Sequence, residues 1–361
     1  MPAWGTQLAG GKGLTTVQLP TVLEPGSLNI TLHARAFVKS VPELDYTLSN
    51  GTGAVSFNFG FTKHVELGFT QIMYQDLNVS AAANGFLSME QIPDDSYLRL
   101  KVGGYPLTLG NAFFKVGVLN QLRYRTGLVN GVYLEPYSGE GIEWEVDFLA
   151  TYYTNPLYED NAPAFHLNLG YLNHNDAGMG RSAFKATQEF VYGLGAVYPT
   201  RRFDFALETY GNLFTRYPDE LTVYSRENSG WATPSIRYKM FYGMSANLGV
   251  DVLLFQQDDG TAYTTKTALP EGYPENYPPW RLVGSLSISP STAFYRQPTF
   301  SKVSDPVNAR KLLRERKSLF EWVVDEQEGV EYIDVELEKI KAERKKAELE
   351  LEQLKKDLGN P

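Results

Sequence analysis

The chain has 361 residues, 43% of them hydrophobic and 21% charged, with 32 Gly, 23 Tyr, 20 Phe and no Cys. This composition excludes a disordered chain, a collagen-like repeat and a disulfide scaffold. The formal net charge of −9 and a pI near 5.1 come without the basic stripe of a nucleic-acid binder, so no nucleic-acid partner is expected. No apolar run approaches the ~18 residues that a transmembrane helix needs, and the mean hydropathy is −0.29. That value leaves a membrane β-barrel open, because lipid-facing and lumen-facing residues alternate along each strand and average out.

Residues 1–27 are rich in Gly, Thr and Pro and read as an irregular N-terminal arm or plug, placed to narrow one mouth of a barrel or to enter its lumen. Met1 to Gly5 shows neither a basic n-region nor an apolar h-region, so a secretory signal is missing or already removed. Export has to be argued from the rest of the chain.

From Leu28 to about Tyr295 the dominant signal is period two, broken by turn-forming clusters. Val55, Phe57, Phe59 and Phe61 share a face opposite Ala54, Ser56, Asn58 and Gly60; after Thr62-Lys63-His64 the alternation restarts with Val65, Leu67 and Phe69 opposite Glu66, Gly68 and Thr70. The same pattern places Arg99 and Lys101 opposite Leu98 and Leu100, and Glu143, Glu145 and Asp147 opposite Trp144, Val146 and Phe148. It places His166 and Asn168 opposite Phe165 and Leu167, Asp204 and Glu208 opposite Phe203, Phe205 and Leu207, and Asp251 opposite Val250 and Val252. Weaker segments near 28–39, 111–124, 188–198, 230–239 and 281–295 bring the expected total to about twelve strands, many of ~9 to 12 residues.

Alternation alone does not say which face meets water, since a soluble barrel produces the same string. Three features favour lipid outside. Short connections near Lys63, 106–110, 199–202 and 240–241 alternate with long ones at about 39–53, 77–96, 125–140, 174–188, 215–229 and 256–280. The polar face carries Gly, Ser, Asn and charges, and a barrel wider than the ~8 strands that side chains fill easily would need unusual bulk for a dry interior. Tyr152, Tyr153, Tyr192, Tyr198, Tyr210, Tyr238 and Tyr242 lie at strand ends, as in the aromatic girdles of membrane barrels.

Residues 28–295 therefore resemble Gram-negative-type outer-membrane β-barrel proteins of porin-like architecture, most closely in hairpins such as 57–73 and 203–214. The resemblance implies an all-β transmembrane antiparallel barrel in contact with outer-membrane lipid, with both termini periplasmic. It departs from such proteins in continuing well past the candidate closing strand.

The extension, residues 296–361, changes to Lys, Arg, Glu and Leu. Ile333, Leu337, Ile340, Arg344, Ala347, Leu351, Leu354 and Leu358 follow four-three steps, a heptad seam with one charged position on an α-helical, coiled-coil-like segment. Three readings compete for residues 306–358: self-association, docking on a periplasmic protein, and a solitary solvated helix.

The polar face supplies candidate lumen-lining charges: Arg99, Lys101, Lys115, Glu143, Glu145, Asp147, Asp204, Glu208, Arg237, Lys239, Asp251 and Arg281. Acids and bases on separate arcs would either brace the barrel as ion-pair ladders or set a transverse field that orients solutes. His33, His64, His166 and His174 have no second ligand at metal spacing, so neither a metal nor another cofactor is expected. The stretch Gly170 to Gly178 faintly resembles the His-x-Ser-Asn-Gly segment of outer-membrane phospholipases, but Asp176 stands in the nucleophile's place and cannot act as an activated hydroxyl. The expectation is a narrow passive channel for small polar solutes, not an enzyme, with a structural anchor tethering the membrane to a periplasmic partner as the alternative.

Overall fold

The computed structural model describes residues 10–290 except 82–88, 111, 127–133, 140, 157–158, 160, 177–185, 219–225, 241–242, 259, 261–273 and 275; in the extension it describes only Lys341, Arg344, Lys345, Glu348 and Gly359. The chain divides into two units, 1–295 and 296–361.

The first unit is an antiparallel barrel. Its strands are β1 (Leu28–Val41), β2 (Tyr46–Gly60), β3 (Val65–Ala81), the three-residue β4 (Met89–Gln91), β5 (Ser96–Leu109), β6 (Ala112–Tyr124) and β7 (Glu143–Tyr153). They continue with β8 (Ala164–Asn173), β9 (Gln188–Pro199), β10 (Phe203–Arg216), β11 (Ser229–Lys239), β12 (Met244–Gln256) and β13 (Trp280–Ile288). Apart from β4, which pairs only with β3, each strand pairs with two neighbours; β1 joins β13 and β2 joins β3, so a ring of twelve closes without an open edge. Closure matters because every backbone amide of a strand in hydrocarbon needs an inter-strand partner.

The faces sort by polarity. Leu207, Ile236, Leu248 and Leu282 on neighbouring strands are 54%, 48%, 59% and 44% exposed on the outer surface. Between them Glu208, Arg237, Asn247 and Arg281 point inward and are buried. An oily exterior around a charged interior is inverted relative to a water-soluble barrel, and lipid is the solvent that makes it favourable.

Connections 61–64, 110–111, 154–163, 200–202 and 240–243 lie on one rim and 42–45, 82–95, 125–142, 174–187, 217–228 and 257–279 on the other. One expected long loop, 39–53, is instead a tight connection: β1 runs to Val41, Pro42–Leu44 forms a short 3-10 turn, and β2 begins at Tyr46. The reason is a reversal of polarity. Near this rim the inward positions become Phe37, Val41, Tyr46, Leu48 and Leu77, all buried, while Ser40 is exposed on the outside and Thr47 and Ser49 are half-buried there. Here the strands pack an apolar core between themselves, and the inverted pattern hides the continuation from a reading tuned to lipid-facing residues. The tyrosines need a similar correction. Tyr198 and Tyr238 are exposed on the outside, but the inward phase of β7 and β10 turns Tyr153 and Tyr210 into the lumen.

The coiled-coil seam lies outside the described residues except at Arg344, whose Nε donates to Glu348 Oε1 at 3.0 Å across one i,i+4 step.

Candidate functional site in the lumen

The arm runs inside the ring from Gly10 to Gly26. Gly13 and Gln18 form a small antiparallel bridge, with Leu14 N donating to Val17 O at 2.8 Å and Leu19 N to Lys12 O at 3.0 Å. At the tip of this hairpin, the amides of Thr15, Thr16 and Val17 all donate to the carboxylate of Glu208 at 2.8 Å. Gln18 exchanges hydrogen bonds with Asn168, its amide donating to Oδ1 at 2.6 Å and its carbonyl accepting from Nδ2 at 2.9 Å. Farther along, Leu23 N donates to Glu66 Oε2 at 2.9 Å. Cations accompany these anions: Lys101 Nζ reaches Glu66 at 3.5 Å and Lys12 O at 3.0 Å, Arg237 donates to Gly13 O at 3.1 Å, and Arg99 donates to Gly10 O.

Room for the arm is provided by missing side chains. A Cβ at Gly103 would collide with the carbonyl of Pro20, and one at Gly195 would lie 2.7 Å from Leu14 Cδ1. Leu14, Val17 and Leu23 are accordingly buried inside the barrel.

The predicted lumenal charges all face inward, but they do not converge on one constriction. Asp204 pairs with Lys239 at 2.5 Å and Arg237 at 3.7 Å near the short-turn rim, where Lys115 also pairs with Glu159. Arg281 pairs with Asp251 at 3.2 Å, and Asp251 also accepts from Thr233 at 2.7 Å and Tyr210 at 2.9 Å. Glu145 accepts from Gln121 Nε2 at 2.5 Å, with Asp147 two residues on along the same face, and Arg99 Nε donates to Gln121 Oε1 at 2.6 Å. Removing two ions from water costs several kcal/mol each, so such contacts brace the wall best where hydrogen bonds accompany the pairing, as those from Thr233 and Tyr210 do at Asp251.

Sequence reasoning missed Arg35, Glu66, Arg123, Glu135, His174 and Glu189. Glu66 and Arg123 could have been found from the alternation, which already put Glu66 on a polar face. Glu135 and His174 belong to loops, where no period applies.

Those loop residues narrow the long-loop end among the described residues. The segment Leu134–Gly139 turns inward, with Leu134 and Glu135 buried. Glu135 is paired with Arg35 on β1 and accepts from Thr52 on β2 at 3.0 Å. On the opposite side Tyr137 donates to Asp176 at 2.9 Å, and its carbonyl accepts from Arg123 at 3.1 Å. His174 is fully buried beneath it: Nδ1 meets Glu143 Oε1 and Nε2 meets Glu189 Oε1, both at 2.8 Å, and the ring centroid of Tyr137 is 4.7 Å away.

Burial works against a charged imidazole, but Glu143 and Glu189 outweigh it and raise the His174 pKa to about 10. Burial also acts against the Asp176 carboxylate, yet the hydroxyl and amide of Thr187, at 2.5 and 2.8 Å, hold its pKa below the ordinary value. Asp176 is thus an acceptor that orders the loop. Burial, and then the neighbouring Asp95, raise Asp94 to about 7.

Between the arm and the inward loop remains a cavity of about 280 Å³, with Thr15 and Thr16 at one end and Pro136 at the other. It lies near the lower end of the ~300–1,000 Å³ typical of ligand pockets. Two smaller spaces flank the arm, one beside Arg99, Glu145 and Asn168 and one beside His166 and Asp204. Among the described residues no cluster of His, Asp and Glu has the arrangement of a metal site.

A closed antiparallel ring with an apolar exterior and a charged interior is the architecture of outer-membrane β-barrel proteins, which this chain resembles. Neither a protein-family model nor a curated protein matches the sequence. Among solved structures, the chain is similar to the COG4313 outer membrane channel from Pseudomonas putida F1, at 13% identity over 75% of this chain and 97% of that one, with a TM-score of 0.47. It is also similar to CdiB from Acinetobacter baumannii, at 10% identity over 80% of this chain and 65% of that one, with a TM-score of 0.32.

Proposed function

We propose that the chain is a bacterial outer-membrane channel that passes small polar solutes without covalent chemistry, with both termini in the periplasm. One observation carries this reading: a chamber with charged side chains in its wall lies inside the barrel between the chain's own arm and an inward loop. A barrel serving only to hold the protein in lipid has no need of such a chamber. Outer-membrane lipid surrounds the apolar belt, and residues 306–358 associate with another copy or with a periplasmic protein through the Leu and Ile seam.

The second reading, a membrane anchor, is favoured by the arm itself, since a hairpin pinned at Glu66, Asn168 and Glu208 obstructs flow. Planar-bilayer recording separates the two. A channel gives discrete currents whose ion selectivity shifts when Glu143, Glu145 and Asp147 are neutralised together, whereas electrical silence sinks the channel. Deletion of residues 306–361 that loosens the envelope at unchanged permeability establishes the anchor. A heat-modifiable gel shift with detergent-dependent solubility tests the barrel's membrane nature beneath both readings.

A further inference from the structure

The chamber is asymmetric in what its walls leave unsatisfied. On β1 and β13, four side chains carry buried polar atoms with no hydrogen-bond partner: His33 Nε2, Arg35 Nε, Arg281 Nε and Nη1, and Ser285 Oγ. They form one surface, because His33 stands directly opposite Ser285 in the β1–β13 ladder and Arg281 lies on the same strand as Ser285. The Arg281 guanidinium sits 4.0 Å over the Trp231 ring, which fixes its plane. Its Nη2 is engaged by Asp251 at 3.2 Å and Tyr210 at 3.3 Å, while Nε and Nη1 are buried without a hydrogen-bond partner.

Across the ring, β7 and β9 present acids. Glu145 and Glu189 occupy one row, with Leu172 of β8 between them. In the closed strand order β7 to β9 lie on the far side of the barrel from β1 and β13. Much of the chamber wall is apolar, with Val191, Trp231 and Val283 among its residues, but buried donors without partners cost about 1–3 kcal/mol each, which favours a ligand that brings acceptors as well as an apolar part. A simple anion would satisfy only one side of the chamber, because Glu135 and Asp251 partly neutralise Arg35 and Arg281 and the opposite wall is acidic.

We propose that this chamber binds a small zwitterion of amino-acid type, with its carboxylate on Arg281, Arg35 and Ser285 and its ammonium toward Glu145 and Glu189. The assignment rests on the reading of the lumen as a solute path and supplies that path with a substrate class.

The test is calorimetric titration of the full chain in detergent micelles with L-leucine, 4-methylpentanoate, 3-methylbutylamine and glucose. The two leucine analogues keep the side chain and lack, respectively, the ammonium and the carboxylate. Leucine is expected to bind at least about tenfold more tightly than either analogue, since each loses charge-assisted hydrogen bonds. E145Q is expected to weaken leucine but not 4-methylpentanoate, and R281Q to weaken both but not 3-methylbutylamine. The inference is overturned by 4-methylpentanoate binding as tightly as leucine, by glucose doing so, or by no heat from leucine at millimolar concentration. The comparison of ligands on the unaltered protein decides the matter even if both variants misfold. Bilayer recording on the same preparation keeps the two ideas apart. Ion currents without leucine binding remove the zwitterion and leave the channel; leucine binding without currents removes the channel and leaves the site.

Discussion

At the short-turn side of the chamber three backbone amides of the arm converge on the carboxylate of Glu208, whereas at the long-loop side the imidazole of His174 is clasped between Glu143 and Glu189. The first closure uses donors that do not titrate; the second uses a cation that does. The first is made by a hairpin that precedes β1 and is secured across the lumen by acceptors on the wall. The second is made by loops continuous with the strands that hold them. A barrel too wide for its own side chains to fill is thus narrowed at two levels by different means, and the two are expected to fail under different conditions.

The largest expected effect breaks the floor. Glu208→Ala strands three amides inside the barrel at about 1–3 kcal/mol each, and the hairpin is expected to leave the lumen instead of bearing that cost. Single-channel conductance should rise several-fold and Lys12 should become accessible to trypsin, with the His174 contacts unaffected. Unchanged conductance and continued protection of Lys12 would show that Glu208 does not hold the arm.

Next in size is the roof. His174→Ala leaves Glu143 and Glu189 buried without the cation between them, at a cost of about 3 kcal/mol by analogy with broken buried pairs. Amide exchange should accelerate across Leu134–Gly139 and stay unchanged at Thr15 to Val17. Equal acceleration in both segments would mean that floor and roof form one unit.

The unaltered protein offers a gentler version of the same contrast. Because the folded His174 pKa lies near 10, above the ordinary 6.5, its contribution is fully present below about pH 6.5 and is lost as pH rises toward 10. Exchange of the Leu134–Gly139 amides should therefore speed up across that window beyond the intrinsic dependence, and His174→Gln should remove the extra slope. A slope that survives the substitution would assign the titration to another group.

The smallest effect concerns Asp94 on the same rim. Its carboxyl is raised to about 7, so its ionisation disfavours the folded rim as pH rises above the ordinary carboxylate range. Asp94→Asn should raise the melting temperature above pH 7 by on the order of 2 °C and change little at pH 4. A loss of stability at both pH values would show that the carboxylate is structurally required.

Much of the wall could be read without coordinates. Leu207, Leu248 and Leu282 against Glu208, Asn247 and Arg281 is a period-two signal, and it holds wherever one face meets lipid and the other water. The reading failed at residues 39–53, where apolar Tyr46 and Leu48 turn inward above the lipid belt and reverse the sign of the pattern. It also failed at Tyr153 and Tyr210, because residue type suggests an interface while strand phase decides the direction. The arm left only an indirect trace: Gly103 and Gly195 fall on inward positions, and a glycine there marks space reserved for another backbone.

The amino-acid order by itself determined about twelve strands and, where one face is apolar and the other polar, the side their residues face, because alternation is local and the solvent on each side enforces it. Only the tertiary structure decided what occupies the axis. Glu208 meets Thr15 across 193 positions of chain, and Arg35 meets Glu135 across 100. Which carboxylate receives which amide depends on closing the ring, a long-range event that brings together residues whose own neighbourhoods carry no sign of one another.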